Sequence, residues 1–346
     1  MSPQKVLLTG ATGYIGGEIL AHLTAFNSPE KKVYITAFVR KQGDADKLKA
    51  AYPGQFMTVV GTDGYTDPAF ISAVTDADII IHVGNAADDP VSADAISTNI
   101  KDGALLIHTS GSYVLTDFSK IDVLDSTKID DLADIKKINS LPAQQPHRDI
   151  DIKILDIHKN RPKVNTVIVC PPLIYGSSKS VGHKVSIQTP LLIKIAAIAK
   201  SNKVFGTGNA VWSNIHVSDL AELYVTILAA YLADPSKVAV NENGYYFAAS
   251  GQHRWGDLIG ALDAPLVKYG VIGKDQTSKA NTPEENKWTA DTFTILGEKS
   301  GYVFDLFRSN SITEPTRAKK LGWKATEADL FSTLDSAVKA FSEGLE

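Results

Sequence analysis

The stretch LLTGATGYIGGEIL, residues 7–20, limits the fold more than any other part of the 346-residue chain. Gly10, Gly13 and Gly16 stand in the spacing G-x-x-G-x-x-G, directly after an apolar run and directly before Ile15, Ile19 and Leu23 at helical spacing. Glycine permits a tight turn and a close backbone approach. The N-terminus of the following helix offers unpaired N–H groups and the positive end of its dipole to a pyrophosphate. Strand, glycine turn, helix and a second strand about 20 residues later form the order that a dinucleotide-binding unit requires. Gly10 and Gly13 are its first candidate contacts. The bland alternative is a tight strand-to-helix turn with no ligand.

The rest of the chain continues this pattern. KVLLTG, KVYITAFVR, FMTVVG, ADIIIHVG, ALLIHTS and VNTVIVC are apolar runs, each followed by a helix-like segment. Runs without strict alternation indicate strands buried on both faces, as in a parallel sheet. DPAFISAVT reads as a helix with Asp67 as cap and Pro68 in its first turn. The expected fold class is α/β, a doubly wound parallel sheet. After PPLIYG at 171–176 come a Gly/Ser/Lys loop, a helix opened by Thr189-Pro190, and then shorter mixed segments. The division expected is residues 1–176 as the nucleotide-binding domain, with later segments around 205–240 returning to it, and 177–346 mainly as a smaller α/β substrate lobe.

Composition excludes several functions. A net charge of −4 with no long basic run provides no footprint for nucleic acid. No apolar run is long enough to span a membrane. The N-terminus MSPQKVLLTG enters a strand too soon to hold a secretory signal, so a cytoplasmic location is expected. The single cysteine, Cys170, can form no internal disulfide and has no metal-ligand spacing around it; it reads as a small buried hydrophobe at a strand end. The acidic span from Asp117 to Asp134 contains no metal loop and reads as a solvated face, so no metal is expected.

At the end of the second apolar run, AFVRKQ places Arg40 and Lys41 where an NAD site usually presents a carboxylate to the ribose 2′-hydroxyl. A guanidinium pairs with a 2′-phosphate, which a carboxylate would repel, so NADP is the expected cofactor and NAD the second choice. The alternative is a pair of solvated strand-end cations.

The T-G-x-x-G-x-x-G turn, with HVGNA at 82–86, HTSGS at 108–112, PPLIYG at 171–176, IHVSDLAELY at 215–224 and LGW at 321–323, resembles the extended short-chain dehydrogenase/reductase superfamily. More narrowly, the chain is similar to the NAD-dependent epimerase/dehydratase-type proteins. The resemblance spans nearly the whole sequence and implies a Rossmann domain, a smaller C-terminal lobe and an active site where they meet. It implies cofactor contacts at Gly10, Thr12, Gly13, Tyr14, Ile15, Arg40, Lys41, Asp63, Gly84, Asn85, His147, Pro171 and Leu173. It also suggests a homodimer.

In that family a serine after the fifth strand polarises the reacting oxygen, and a Tyr-x-x-x-Lys pair supplies the proton and holds the nicotinamide ribose. Ser110 matches the serine, with Ser112 second. Both are also ordinary strand-end turn residues around Gly111. The tyrosine falls near Ala143, the lysine near His147 and a helix carboxylate near Asp151, so Tyr-x-x-x-Lys is absent. PHRDIDIK thus occupies the family's catalytic helix, with Ile150, Ile154 and Ile157 at helical spacing. His147 could take the ribose contact or act as general acid, histidine being the side chain that titrates nearest neutrality. The alternative makes His147, Arg148 and Asp149 a polar helix start.

Other candidate donors are Tyr113, beside the serine turn, and Tyr175, which reads better as a packed anchor. His183 and Lys184 lie in a loop able to close over substrate, or are solvated loop residues. Asp219 reads as a helix cap, His216 as a structural histidine and Trp212 as a pocket wall. The expected function is an NADP-dependent oxidoreductase acting on a carbonyl or alcohol of a small organic molecule. Two alternatives stand beside it: a non-catalytic NADP-binding regulator, and a redox-neutral epimerase or dehydratase with retained nucleotide.

Overall fold

The computed structural model describes residues 3–27, 33–278 and 300–344. The first half runs β1 (Gln4–Leu8), α1 (Tyr14–Phe26), β2 (Val33–Val39), α2 (Gln42–Ala51), β3 (Met57–Val60), α3 (Pro68–Asp76), β4 (Ile79–His82), α4 (Pro90–Asn99), β5 (Leu105–Thr109), β6 (Lys128–Asp130), α5 (Ile135–Asn139), α6 (Arg148–Asn160) and β7 (Asn165–Cys170). The second half runs β8 (Leu173–Tyr175), α7 (Gln188–Ala199), β9 (Val211–His216), α8 (Val217–Ala233), β10 (Tyr245–Phe247), β11 (Gly251–Arg254), α9 (Trp255–Lys268), α10 (Ser300–Leu306), β12 (Ile312–Glu314), α11 (Thr316–Lys320) and α12 (Leu334–Ser342).

All six apolar runs become strands of one seven-stranded parallel sheet, in the order β10-β7-β5-β4-β1-β2-β3. Its order reverses between β1 and β4, and a doubly wound sheet opens a ligand crevice at such a point. Both faces are covered, which explains the lack of alternation in the strands. Ile79, Ile81, Leu105 and Ile107 pack with Ile19, Leu20 and Leu23 of α1 and with Leu220, Leu223 and Ile227 of α8. On the opposite face Ile80 and Leu106 pack with Phe70, Ile96, Ile150 and Ile154 of α3, α4 and α6. The Asp67 carboxylate accepts from Ala69 N at 2.8 Å and caps α3, as the sequence indicates. Cys170 is buried at the end of β7. No described helix is long and apolar enough to cross a membrane.

The second core gathers α7, α9 and α12 around Trp212, Trp255 and Phe307. It stands beside a three-stranded sheet, β11-β9-β8, and a parallel pair, β12-β6. Three sequence readings are corrected here. The span Asp117 to Asp134 is a tie between lobes rather than a solvated face: β6 pairs with β12, Asp122 binds Arg308, and the buried Asp131 accepts from the backbone N–H groups of Phe247 and Arg317. His216, not Asp219, caps α8 by accepting from Ser218 N at 3.2 Å. The Asp219 carboxylate is engaged instead by the N–H groups of Thr326 and Glu327, more than 100 residues away. Trp212 is buried against Tyr113 and Trp255, and its Nε1 donates to Ser309 Oγ, so it is core and not pocket wall. Tyr175 is the anchor expected, its hydroxyl donating to Ala328 O at 2.9 Å.

Arg148 proves to be a buried staple rather than part of a polar surface. It donates to Leu141 O, Asn139 O and, at 2.6 Å, to Tyr245 Oη on β10, joining the start of α6 to the last strand of the sheet. Removing it takes the donor from one buried and two part-buried acceptors. Arg148→Ala is therefore expected to lower unfolding free energy by about 3 kcal/mol, measured by urea denaturation followed by circular dichroism.

Candidate active site

The crevice is built from glycine contacts. Gly10 has φ +71°, and a Cβ there would lie 2.8 Å from Gly84 N, so only glycine lets the end of β1 approach the end of β4. Thr9 Oγ1 fixes that approach by accepting from Val83 N and Gly84 N. A Cβ at Gly16 would lie 2.2 Å from Gly10 O, which presses the first turn of α1 onto the loop. Gly13 is the N-cap of α1, with no side-chain cap and no acid in the first turn. The amides of Tyr14 and Ile15 are thus left for a ligand, unlike those of α3 and α4, which Asp67 and Asp89 cap. These residues fit a dinucleotide pyrophosphate.

The remaining cofactor candidates are distributed around this cradle. Arg40 and Lys41 are exposed at the end of β2, and Asp63 is exposed beyond β3. Asn85 follows Gly84 in a left-handed conformation with φ +54°. Thr12 and Tyr14 are tied to the segment after β8: Thr12 O accepts from His183 N, and Tyr14 Oη donates to Gly176 O. Pro171 O accepts from Ser112 N, so it holds the serine turn in place. Leu173 is buried in the second core and presents no surface to the crevice.

At the ends of β4 and β5 lies the group with chemistry. Pro146 has no N–H, and α6 starts only after it, so His147 is not inside the helix: it is the N-cap, held at φ +66°. A non-glycine residue in that region stores strain that often marks a functional site. Its Nδ1–H donates to Asp88 Oδ1 at 2.7 Å. Its Nε2 faces the serine turn, since a Cβ on Gly111 would lie 3.0 Å away. The Tyr113 ring meets the imidazole edge-on at 6.5 Å. Ser110, Ser112, Tyr113 and His147 therefore converge, while Ala143, the tyrosine's counterpart, is exposed in the turn before α6.

Beneath them are buried polar groups. The hydroxyls of Ser110 and Ser112 and Asp151 Oδ1 have no hydrogen-bond partner within the protein. Asp151 Oδ2 accepts from Tyr245 Oη at 3.1 Å. Burial pushes the Asp151 carboxyl up to about 6, against the opposing influence of Ser110, Arg148 and His147. His82 and His108, paired in register on β4 and β5, share a hydrogen bond between their Nδ1 atoms at 3.2 Å. Burial pushes His82 down to about 4 and His108 well below its ordinary value, so both are neutral. A cavity of about 440 Å³ begins at Leu115, at the end of the turn that carries Ser112, with Phe118, Ile129, Leu141, Gln145 and Ile312 in its wall; Ser110, Ser112, Tyr113 and His147 do not line it. Among the described residues no cluster of metal ligands occurs.

Residues 152–241 match the NAD dependent epimerase/dehydratase family. The chain is 29% identical to a protein named oxidase ucsJ from Acremonium sp. over 78% of this chain and 80% of that one. It is 22% identical to an uncharacterized protein of Schizosaccharomyces pombe over 96% and 98%. Among solved structures, Gre2 from Candida albicans aligns over 99% of this chain and 100% of its own, with a TM-score of 0.65 and 16% identity. Yeast methylglyoxal/isovaleraldehyde reductase Gre2 complexed with NADPH aligns over 98% and 99%, with a TM-score of 0.60 and 14% identity. A UDP-glucuronic acid 4-epimerase from Bacillus cereus with NAD aligns over 99% and 100%, with a TM-score of 0.61 and 16% identity. The fold is that of the extended short-chain dehydrogenase/reductases.

The sequence reading missed Asp88 and the His82–His108 pair, and named Asp151 only as a helix carboxylate, without its burial beneath the serine turn. Asp88 lies 59 residues from its partner. The histidine near the end of each of the two strands was visible in ADIIIHVG and ALLIHTS, and equal placement in neighbouring parallel strands was the signal available. Asp151 leads to a pH prediction. Its folded pKa lies above the ordinary carboxyl value, so the folded state binds the proton more tightly. Stability should therefore fall as pH rises from about 4 to about 6 and level off above that, by at most about 3 kcal/mol. Comparing urea unfolding of wild type and Asp151→Asn across that range checks it: the variant should lack this component of the slope.

Proposed function

We propose that this protein is an NADP-dependent oxidoreductase that reduces a carbonyl, or oxidises the corresponding alcohol, of a small organic molecule. One observation carries the reading: His147, oriented by Asp88, faces a turn of two unpartnered serines at the strand ends beside the glycine cradle. Gly10, Gly13 and the first-turn amides of α1 would hold the pyrophosphate, and Arg40 with Lys41 the 2′-phosphate. The bound nicotinamide supplies hydride transfer.

The chain's own residues handle charge and proton. Asp88 accepts from Nδ1–H and fixes the tautomer, so Nε2 is the nitrogen that exchanges a proton with the substrate oxygen. In the reductive direction a proton on Nε2 passes to that oxygen as negative charge grows on it, while Asp88 holds the ring through Nδ1. The serine hydroxyls, not committed to any protein partner, polarise the same oxygen. The cavity that begins at Leu115 would take the body of the substrate, with Leu115, Phe118 and Ile129 providing apolar contact. The relative named oxidase ucsJ supports redox chemistry, while the structural neighbours, reductases and an epimerase alike, do not choose.

The test is NADPH oxidation against a panel of aldehydes, ketones and quinones. His147→Ala should lower kcat by roughly 100-fold without loss of fold, the scale of a missing general acid. Activity that survives in His147→Ala but collapses in Tyr113→Phe would move the donor to the serine turn. Tight NADPH binding with no turnover anywhere on the panel would instead favour a regulator. For the cofactor, Arg40→Ala should weaken NADPH binding roughly 10-fold while leaving NADH unchanged, as measured by nucleotide fluorescence titration.

A further inference from the structure

The segment that follows β8 does not run out into solvent. It folds back along the N-terminal turn of α1. The hydroxyl of Tyr14 donates to Gly176 O at 2.8 Å at its start. Glu18, a buried carboxylate one turn into α1, then takes hold of the strap: its Oε2 accepts from Lys179 N at 2.5 Å and from Ser178 Oγ at 3.3 Å. Ser180 Oγ donates to Thr12 O at 3.1 Å, and His183 N donates to the same carbonyl at 3.0 Å. The strap closes on itself where Ser178 N donates to Lys184 O. Two glycines make the contact possible, because a Cβ on Gly17 would lie 2.3 Å from Ser180 Cβ and one on Gly182 would lie 2.3 Å from Thr12 O.

Thr12 immediately precedes Gly13, the uncapped N-cap of α1. The strap therefore brings the backbone of His183 onto Thr12 O, one residue before the N-cap of α1, with Lys184 next in the chain. Both are exposed, and neither makes an ion pair with a described residue. Amides and dipole alone give a pyrophosphate partial positive charge, and an adjacent ammonium adds a full one.

We infer that Lys184, with His183 beside it, is a clamp on the pyrophosphate of the dinucleotide, and that Glu18 is the positioning residue that sets the clamp in place through the strap. This rests on the dinucleotide part of the proposed function. Because the pyrophosphate is common to NADH and NADPH, the clamp serves both alike, unlike Arg40 at the ribose.

The experiment is fluorescence titration of NADH and NADPH against wild type, Lys184→Ala, Glu18→Gln and the double variant. Lys184→Ala should weaken both nucleotides by the same factor, about 5- to 10-fold. Glu18→Gln should also weaken both, and the double variant should be no worse than the more affected single one, since the anchor acts through the clamp. Wild-type affinity in Lys184→Ala overturns the clamp. A loss confined to NADPH overturns it too, by assigning Lys184 to the 2′-phosphate. Full additivity in the double variant overturns the role of Glu18. If wild type binds neither nucleotide, the dinucleotide reading falls and takes the clamp with it, an outcome distinct from binding that ignores Lys184.

Discussion

Two strand ends meet through backbone alone. Where β1 and β4 diverge, Gly10 and Gly84 lie so close that neither position has space for a side chain, and Thr9 pins the approach with one hydroxyl. Everything that follows in the crevice depends on this contact. It sets the pitch of α1 and hence the direction of its free amides. It also fixes the start of the loop that bears Asn85 and Asp88. The Gly84 carbonyl in turn accepts from Tyr65 Oη, so the wall on the β3 side is tied to the same point. A bulky group anywhere in this contact would displace the glycine turn and the Asp88 loop together, because they share a backbone hinge.

The second constraint is the delayed start of α6. Two prolines, Pro142 and Pro146, keep the segment ahead of Arg148 out of the helix. A chain that kept the family's tyrosine and lysine would present both from one helix. Here the start of the helix carries instead an imidazole on a strained cap, bonded to a carboxylate that comes from the loop after β4. The buried staple of Arg148, Tyr245 and Asp151 explains how the strain is tolerated: the first turn of α6 is bonded to β10 and cannot relax by shifting along the sheet.

What the sequence disclosed and what it concealed divide along physical lines. Local signals were legible: the glycine turn, the doubly buried strands and the Asp67 cap each depend on a few neighbouring residues. Side chains whose partners lie far along the chain were not. Asp219 has the composition of a cap, yet its oxygens are claimed by Thr326 and Glu327, and the simpler capping geometry passes to His216. Trp212 reads as a wall until Trp255 and Tyr113 close around it. Asp88 and His147 were each visible as polar loop residues, but only the sheet brings them to 2.7 Å. The absence of Tyr-x-x-x-Lys was plain at once.

The strand order also governs how the chain must be assembled. β10, the edge of the main sheet, and α8, which covers one of its faces, are contributed by residues beyond 216, after the chain has already begun the second lobe. As the polypeptide leaves the ribosome, six strands are available well before their seventh neighbour and before the helix that shields Ile79, Leu105 and Val167. The nascent first half is thus an open sheet with an unpaired β7 edge and a bare apolar face, the combination that invites wrong association. A fragment ending at the apparent domain boundary near residue 176 would inherit the same defect permanently. The two lobes are interleaved in synthesis, and the seven-stranded sheet is finished only when the second lobe is partly built.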